Sequence, residues 1–312
     1  MNTPTRLSVF GLTLVAAFAA AAGLGRAVGP VGPVAAAQSD QHMATGDPAG
    51  DHGTAAGDES PGQHEADAAP DVTGLSVAER GYTLALDQSS LPVGKLGTLS
   101  FRVLTSAGEP LTAYTPSHDK DLHLIVVRRD TQHFQHVHPV RDAAGTWTLP
   151  VTLPAAGVYK VFADFAPAGS ADALTLAADV QAGGSYLPEP LPPVAPVTSG
   201  GGYAVRIDGD LVAGRPSKVV LSVSRDGQPV TDLQPYLAAY GHLVALRGGD
   251  LAYLHTHPQD DAADPATKPG PGLTFIVDVP TSGTYRLFLD FKHDGRVRTA
   301  PFTVSAKGPT SS

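Results

Sequence analysis

Two groups of three histidines have the same internal spacing. The groups are His123, His136 and His138, and His242, His255 and His257. Imidazole nitrogens are favoured ligands of Zn(II) and Cu(II). The chain has no cysteine and only two methionines, Met1 and Met43, so thiolate and thioether-rich sites are excluded. The groups therefore predict imidazole-rich metal sites, and the general order of divalent-ion affinities favours Cu(II) over Zn(II).

The histidine groups belong to a tandem repeat. Residues 122–127 match 241–246, and residues 134–139 match 253–258, both at an offset of 119 residues. The match extends to 108–112 with 227–231, and to 153–165 with 279–291. Such internal repetition fixes the architecture before any propensity argument, so we expect two copies of one domain.

Each copy has the pattern of a small β-sandwich. Short β-branched segments are separated by Gly, Pro and Asp, and Gly157-Val-Tyr159 and Gly283-Thr-Tyr285 resemble tyrosine corners. In copy one, strands are predicted near 82–86, 97–104, 122–128, 132–138, 146–153, 158–165 and 174–180. The sequence predicts an all-β fold of two tandem immunoglobulin-like β-sandwich domains.

The third and fourth strands set the histidine geometry. In copy two, Gly248-Gly249 is a favoured two-residue hairpin turn. It places His242 opposite His255, with His257 two residues further along the same face. The ungapped offset predicts the same arrangement in copy one, and hence one metal site per domain.

Asp164 and Asp290 are candidate auxiliary residues at equivalent positions of the repeat. In an immunoglobulin-like sandwich, the strand after the tyrosine corner runs antiparallel to the third strand, which brings these carboxylates near His123 and His242. Each carboxylate could bind the ion or orient an imidazole. The sequence leaves both roles open.

A buried polar cluster is the alternative to a metal site. The other residues that the copies share are mostly the types needed for turns and core, whereas histidine has no comparable packing reason. The remaining domain histidines have no histidine counterpart in the other copy, and we place them at the surface or at the rim of the site: His118, His133 and His293.

The N-terminal region predicts export. Arg6 precedes an apolar run over 7–24, which has the pattern of a signal peptide and is just long enough to be a single membrane anchor. The expected organisation has six parts: signal or anchor 1–37, disordered acidic linker 38–71, domain one 72–184, Pro/Gly-rich linker 185–202, domain two 203–306 and tail 307–312.

Charge and composition exclude other functions. The net charge is −9 and no cluster of Lys or Arg occurs, which excludes a nucleic-acid partner. No nucleophilic triad or acidic pair is visible, so we expect a binding protein rather than an enzyme.

The repeated pattern of His-Leu, His-x-His-Pro, Gly-x-Tyr and Asp-Phe resembles a family of exported actinobacterial proteins described as secreted or heavy-metal-associated. The copies are also similar to the small immunoglobulin-like periplasmic domains of the CopC and YtkA/FixH groups. The resemblance implies a sandwich and, by association, metal handling. CopC-type sites use a free N-terminal histidine that this chain lacks, so that mechanism does not carry over. The segment 134–138 is similar to a strand of copper–zinc superoxide dismutases, without their zinc loop or disulfide.

Together these patterns predict an extracytoplasmic metal-binding protein, with Cu(II) or Zn(II) bound for buffering or delivery. The first alternative is a tandem immunoglobulin-like interaction module with structural histidine clusters, and the second is a metal-dependent redox enzyme. Expected partners are the metal ion, another exported or membrane protein, and the membrane itself if the N-terminal segment is not cleaved.

Overall fold

The computed structural model describes residues 72–170, 172–254, 256–259 and 261–308. In these residues every regular element is a strand, and they form two consecutive β-sandwiches. This confirms the predicted all-β fold with two tandem domains. No helix in the described part of the chain is long and apolar enough to cross a membrane. The predicted N-terminal helix and acidic linker lie outside the described residues.

Domain one consists of two antiparallel sheets that face each other. Its strands are β1 (Ala78–Glu79), β2 (Tyr82–Leu86), β3 (Ser90–Leu91), β4 (Leu96–Leu104), β5 (Tyr114–Thr115), β6 (Leu122–Arg128), β7 (Gln135–Val137), β8 (Val140–Arg141), β9 (Thr146–Thr152), β10 (Gly157–Pro167) and β11 (Leu174–Ala182). The strand order is β1-β2-β4-β9-β8 in one sheet and β3-β11-β10-β6-β7 in the other, where β3 pairs with β11 in parallel and β5 pairs with β10.

Domain two repeats this plan. Its strands are β12 (Val197–Gly200), β13 (Tyr203–Asp208), β14 (Leu211–Val212), β15 (Pro216–Arg225), β16 (Gln228–Pro229), β17 (Gly241–Arg247), β18 (Tyr253–Leu254), β19 (Thr256–Pro258), β20 (Gly272–Asp278), β21 (Gly283–His293) and β22 (Arg296–Lys307). The orders are β12-β13-β15-β20-β19 and β14-β22-β21-β17-β18. The first strand of this domain, β12, lies inside the predicted linker 185–202. It belongs to the domain, since it pairs with β13.

Both predicted tyrosine corners are present. The hydroxyl of Tyr159 donates to the carbonyl of Ala155 at 2.9 Å, and that of Tyr285 donates to Thr281 at 2.7 Å. Both rings are fully buried in the cores of their own domains. The corners thus tie the loop before each long strand to its core.

A third apolar core lies between the two domains. In β6, Leu124 and Val126 face the core of domain one, whereas Ile125 and Val127 face domain two. This is why every residue of β6 is buried and the strand is almost continuously apolar rather than alternating. The other residues of this interdomain core are Phe134, Phe162, Ala177, Val244, Leu246, Leu251, Tyr253 and Phe288.

The interdomain core follows the repeat. Phe134 of domain one stacks on Phe288 of domain two, with ring centroids 3.9 Å apart and planes inclined by 4°. Tyr253, which is the repeat equivalent of Phe134, packs on Phe162 at 5.6 Å. Equivalent surfaces of the two copies therefore face each other, as in an isologous homodimer.

The chain that enters domain one helps to close this interface. Thr73 forms a bridge with Tyr253, and the N–H of Gly74 donates to the carbonyl of Thr175. Gly74 has a φ of +69°, and a Cβ placed there would lie 2.8 Å from both Phe162 and Tyr253. Only glycine fits at this crossing, because of both the left-handed backbone and the close approach.

We predict that Gly74→Ala lowers the free energy of unfolding by about 1–3 kcal/mol, because the added methyl group overpacks the interdomain core. Gly94→Ala is the matched control, since Gly94 has a similar φ of +65° but nothing within 4 Å of a Cβ. Urea unfolding of both variants separates the clash from the cost of the backbone conformation. Equal losses for the two variants would contradict a tight contact at Gly74.

Candidate metal site at the domain interface

Strands β6 and β7 bring the first histidine group together, in a register that differs from the prediction. The ladder pairs Ile125 with His136, so the predicted pairing of His123 with His136 is wrong by two residues. The connection is longer than a two-residue turn, and Thr131 within it has a φ of +68°. Because side chains alternate with a period of two, a shift of two residues keeps the histidines on the same face.

The predicted register in copy two is wrong by the same amount. Strand β17 pairs Leu246 with Tyr253. The predicted turn at 248–249 is part of a wider loop, in which Asp250 accepts bonds from the guanidinium of Arg247 and from the N–H of Ala252. A carboxylate that bonds to its own loop favours that loop over the tight turn.

The two described members of the second histidine group, His242 and His257, lie in different sheets. His257 lies on β19, which pairs with β20 of the opposite sheet, so its predicted place on the face of the β17 hairpin is wrong. His255 lies outside the described residues. His242 lies on β17, and its ring approaches those of His118 and His136 of domain one.

The donor atoms of the first group converge. His123 Nδ1 lies 3.1 Å from His136 Nε2 and 3.2 Å from His138 Nε2, and the three ligand atoms all lie within 4.8 Å of one another. In a tetrahedral site with metal–nitrogen bonds of about 2.0–2.1 Å, two ligand nitrogens are separated by roughly 3.3–3.4 Å. The trio is therefore already close to the geometry of three ligands to one ion.

Outer contacts fix the protonated nitrogen of two of these rings. His123 Nε2 donates to the carbonyl of Ser117 at 3.0 Å, and His136 Nδ1 donates to the carboxylate of Asp290 at 2.8 Å. Because these oxygens only accept, a neutral ring at either position carries its proton on the outer nitrogen. The unprotonated nitrogens then face each other across 3.1 Å, a repulsive contact unless a cation lies between them.

Burial favours the neutral form of His123, His138 and His242. Desolvation lowers the pKa of His123 and lowers the pKa of His138 to about 3, and the neighbouring imidazoles act in the same direction. Desolvation also lowers the pKa of His242 to about 4. Neutral imidazoles offer the lone pairs that a metal ion needs, so these rings require no deprotonation near pH 7.

The two predicted aspartates have different contacts. Each is paired with the expected histidine across its ladder, Asp164 with His123 and Asp290 with His242. The side chain of Asp290, however, is bonded to His136 of the other domain. That of Asp164 accepts from the hydroxyls of Thr175, at 3.1 Å, and Tyr253, at 3.5 Å.

The arrangement of one self-contained site per domain, expected from the sequence, is thus corrected among the described residues. The side chains of His136 and Asp290 are only 6% and 3% exposed where they meet across the domain boundary. The domain-one trio takes one of its outer partners from domain two, because equivalent sheet faces of the two copies are packed together.

His118, which the sequence placed at the surface or at the rim of the site, is half-buried beside the trio. The ring of His118 is 5.1 Å from that of His242 and 6.1 Å from that of His123, centroid to centroid. Nothing in the repeat marks it, because the equivalent residue in copy two is Leu237. The predicted place of His293 at the surface or rim is wrong, because it is buried away from the trio, bonded to the Tyr203 hydroxyl at 2.7 Å and to Asp232 at 3.0 Å.

Comparison with known proteins identifies the repeat but assigns no activity. A family described as a domain of unknown function, DUF8832, matches residues 76–182 and again residues 197–308. No curated protein matches the chain. These findings do not show the expected likeness to CopC-type, YtkA/FixH-type or heavy-metal-associated families.

Several solved structures are similar in part. A DUF4426 family protein from Pseudomonas aeruginosa is 8% identical, with a TM-score of 0.27, over 37% of this chain and 95% of that one. The Escherichia coli adhesin FdeC is 12% identical, with a TM-score of 0.24, over 75% and 66%. A bacterial integrin-binding invasin is 12% identical, with a TM-score of 0.22, over 75% and 41%. At TM-scores this low, the likeness carries no argument about function.

We predict that the metal-free protein loses stability as the pH falls from 7 to 5. The pKa values of His138 and His242, about 3 and about 4, lie below the value of about 6.5 of an unfolded histidine. The unfolded chain therefore binds protons first, so this stability is complete above about pH 6.5 and is lost progressively as the pH falls toward the folded pKa values of about 4 and about 3. The urea midpoint measures this loss, and His138→Gln should reduce its slope. A midpoint that is flat over this range would contradict the neutral buried cluster.

Proposed function

Since the chain belongs to the DUF8832 family, whose function is unknown, we propose from its geometry that it binds a divalent transition-metal ion between His123, His136 and His138. One observation carries the proposal. Two imidazole nitrogens face each other at 3.1 Å while their outer N–H groups are engaged by a carbonyl and a carboxylate. That pattern of ligand and outer partner is typical of histidine metal sites.

The donor set favours Cu(II) or Zn(II). Three imidazoles suit both ions, and the absence of cysteine from the chain removes thiolate competition. At a common site Cu(II) is expected to bind more tightly than Zn(II) by the general affinity order. A fourth ligand position would be filled by water or by a group from the adjoining cleft.

The biological role that we propose is buffering or delivery of this ion outside the cytoplasm. The export signal expected over residues 1–37 supports that compartment. The trio lies at the boundary between the two domains, next to the apolar core that they share. An ion could therefore bind there while this core stays covered. The redox-enzyme alternative stays a prediction.

A tandem interaction module is the second candidate, and one observation favours it. His138 Nε2–H can donate to His123 Nδ1 at 3.2 Å, while His136 Nδ1–H donates to the Asp290 carboxylate across the domain boundary. The cluster would in that case hold the domains together without any ion. Under this hypothesis Zn(II) leaves the melting temperature unchanged. If the ion binds instead, a Zn(II) concentration of 100 times the Kd adds about 2.7 kcal/mol to the free energy of unfolding and raises the melting temperature.

We predict that the full chain binds Cu(II) and Zn(II) in a tight phase that His138→Ala removes, because that change deletes one ligand. Calorimetric titration measures the loss, and the Cu(II) electron paramagnetic resonance spectrum should show coupling to several nitrogens only in the wild type. His133→Ala is the matched control, since His133 lies outside the trio. The histidines of the predicted linker 38–71, His42, His52 and His64, are present in the wild type and in both variants. A folded wild-type protein without the tight phase would refute metal binding.

Replacing the carboxylate behind His136 tests the outer contact separately. We predict that Asp290→Asn weakens binding by about 10–100-fold, the usual effect of removing such a partner. Asp179→Asn, which changes an exposed carboxylate of domain one, is the control. Affinities equal to wild type in both variants would show that Asp290 does not support the ion.

A further inference from the structure

We infer that the interdomain cleft beside the trio contains a second divalent-cation site, formed by His118 of domain one and His242 of domain two, with the Asp164 carboxylate beside them. The inference extends the proposed function to a second ion and rests on it for the class of metal. It differs from a repeat of the first site, because its two imidazoles come from different domains and from positions that are not equivalent in the repeat.

His242 has the same outer contact as a ligand of the first site. Its Nε2 donates to the carbonyl of Tyr236 at 2.8 Å, just as His123 Nε2 donates to Ser117. A neutral ring therefore carries its lone pair on Nδ1. His242 is also only 7% exposed, so this lone pair is held within the interface rather than in bulk water.

A strained turn at residues 117–120 places His118 beside His242. Ser117 and Lys120 exchange backbone hydrogen bonds of 2.9 and 3.0 Å, and the two residues between them, His118 and Asp119, have φ values of 48° and 63°. Two consecutive left-handed residues define a turn that normally requires Asn or Gly. Copy two makes the same turn with Leu237 and Ala238, so the turn is a property of the fold. The imidazole upon it is specific to copy one.

The turn serves both sites at once. The carbonyl of Ser117 is the acceptor that orients His123 in the trio, and the next residue, His118, places its ring edge-on to His242 at 5.1 Å and 84°. In copy two, the carbonyl at the corresponding position, Tyr236, orients His242. Each turn thus orients an imidazole of its own domain. The turn of copy one also places the ring of His118 next to His242 of the other domain, and His118 Nδ1 is within hydrogen-bond distance of Ser117 Oγ at 3.2 Å.

The surrounding cleft is suited to a hydrated cation. It has a volume of about 190 Å³, enough for an ion with several water molecules. Its polar wall includes His118, His123, His136, Asp164, His242 and His257. Asp164 is the repeat equivalent of Asp290. Each proposed ion therefore has one carboxylate nearby, which would offset part of its positive charge.

The second site should be the weaker of the two. Among the described residues the trio is the group whose three donors are already close enough to share an ion. An ion at His118 and His242 would complete its coordination with water and with Asp164 or His257. We therefore expect two phases of binding, the tighter at the trio and the weaker at the cleft.

The test is a titration of the full chain with Zn(II) and with Cu(II), in the wild type and in His118→Leu, His138→Ala and His133→Ala. His118→Leu installs the residue that copy two tolerates at the same backbone conformation, and His118→Asn is a second variant suited to a left-handed position. Circular dichroism checks that each variant is folded. All variants contain the same linker histidines, so differences between isotherms report on the domains.

The expected result is that both His118 variants lose the weaker phase and keep the tighter one, whereas His138→Ala loses the tighter phase and His133→Ala loses neither. In addition, the doubly loaded Cu(II) protein should show dipolar coupling between two nearby ions, and the His118 variants should not. Unchanged isotherms in the His118 variants would overturn the second site and leave the first intact. Loss of both phases in them would indicate one shared site and also overturn it. Absence of binding in the wild type would refute the proposed function itself.

Discussion

The burial of one sheet face of each domain against the other is the constraint on which the rest of the structure depends. Strands β6 and β10 of domain one, and β17 and β21 of domain two, are covered on both sides, so their apolar residues serve two cores at once. Aromatic pairs such as Phe134 with Phe288 fill the space between the sheets. Without this third core, each domain would expose a broad apolar face to water.

The histidine cluster lies at one edge of the same face, and its chemistry follows from that position. Packing removes water from the imidazoles, which lowers the pKa of His123, His138 and His242 and keeps them neutral. The same packing brings Asp290 within 2.8 Å of His136. A carboxylate from one domain thereby orients an imidazole of the other, so the ion binding that we propose would be coupled to the pairing of the domains.

Duplication followed by intramolecular pairing also explains how equivalent residues acquired different roles. Asp164 and Asp290 occupy matching ladder positions, and each accepts from the hydroxyl of the threonine beside it, Thr175 or Thr299. Their second oxygens differ: that of Asp290 accepts from the imidazole of His136, and that of Asp164 from the hydroxyl of Tyr253. The turn at 117–120 carries a histidine, whereas the turn at 236–239 carries Leu237. Two copies in one chain can diverge at a shared interface in a way that two identical subunits cannot.

The sequence by itself determined the features that depend on local pattern: the repeat, the short strands, the tyrosine corners, and the placement of His123, His136 and His138 on one face. The placement on one face is correct although the predicted pairing of the two strands was wrong by two residues, because side chains along a strand point to the same face at every second residue. Tertiary structure decided the rest. The contact of His136 with Asp290, the approach of His118 to His242 and the separation of His257 onto another strand all join residues that are distant in sequence or change sheets. They depend on which faces of two folded domains exclude water together, and that is a property of the packed surfaces rather than of any local spacing.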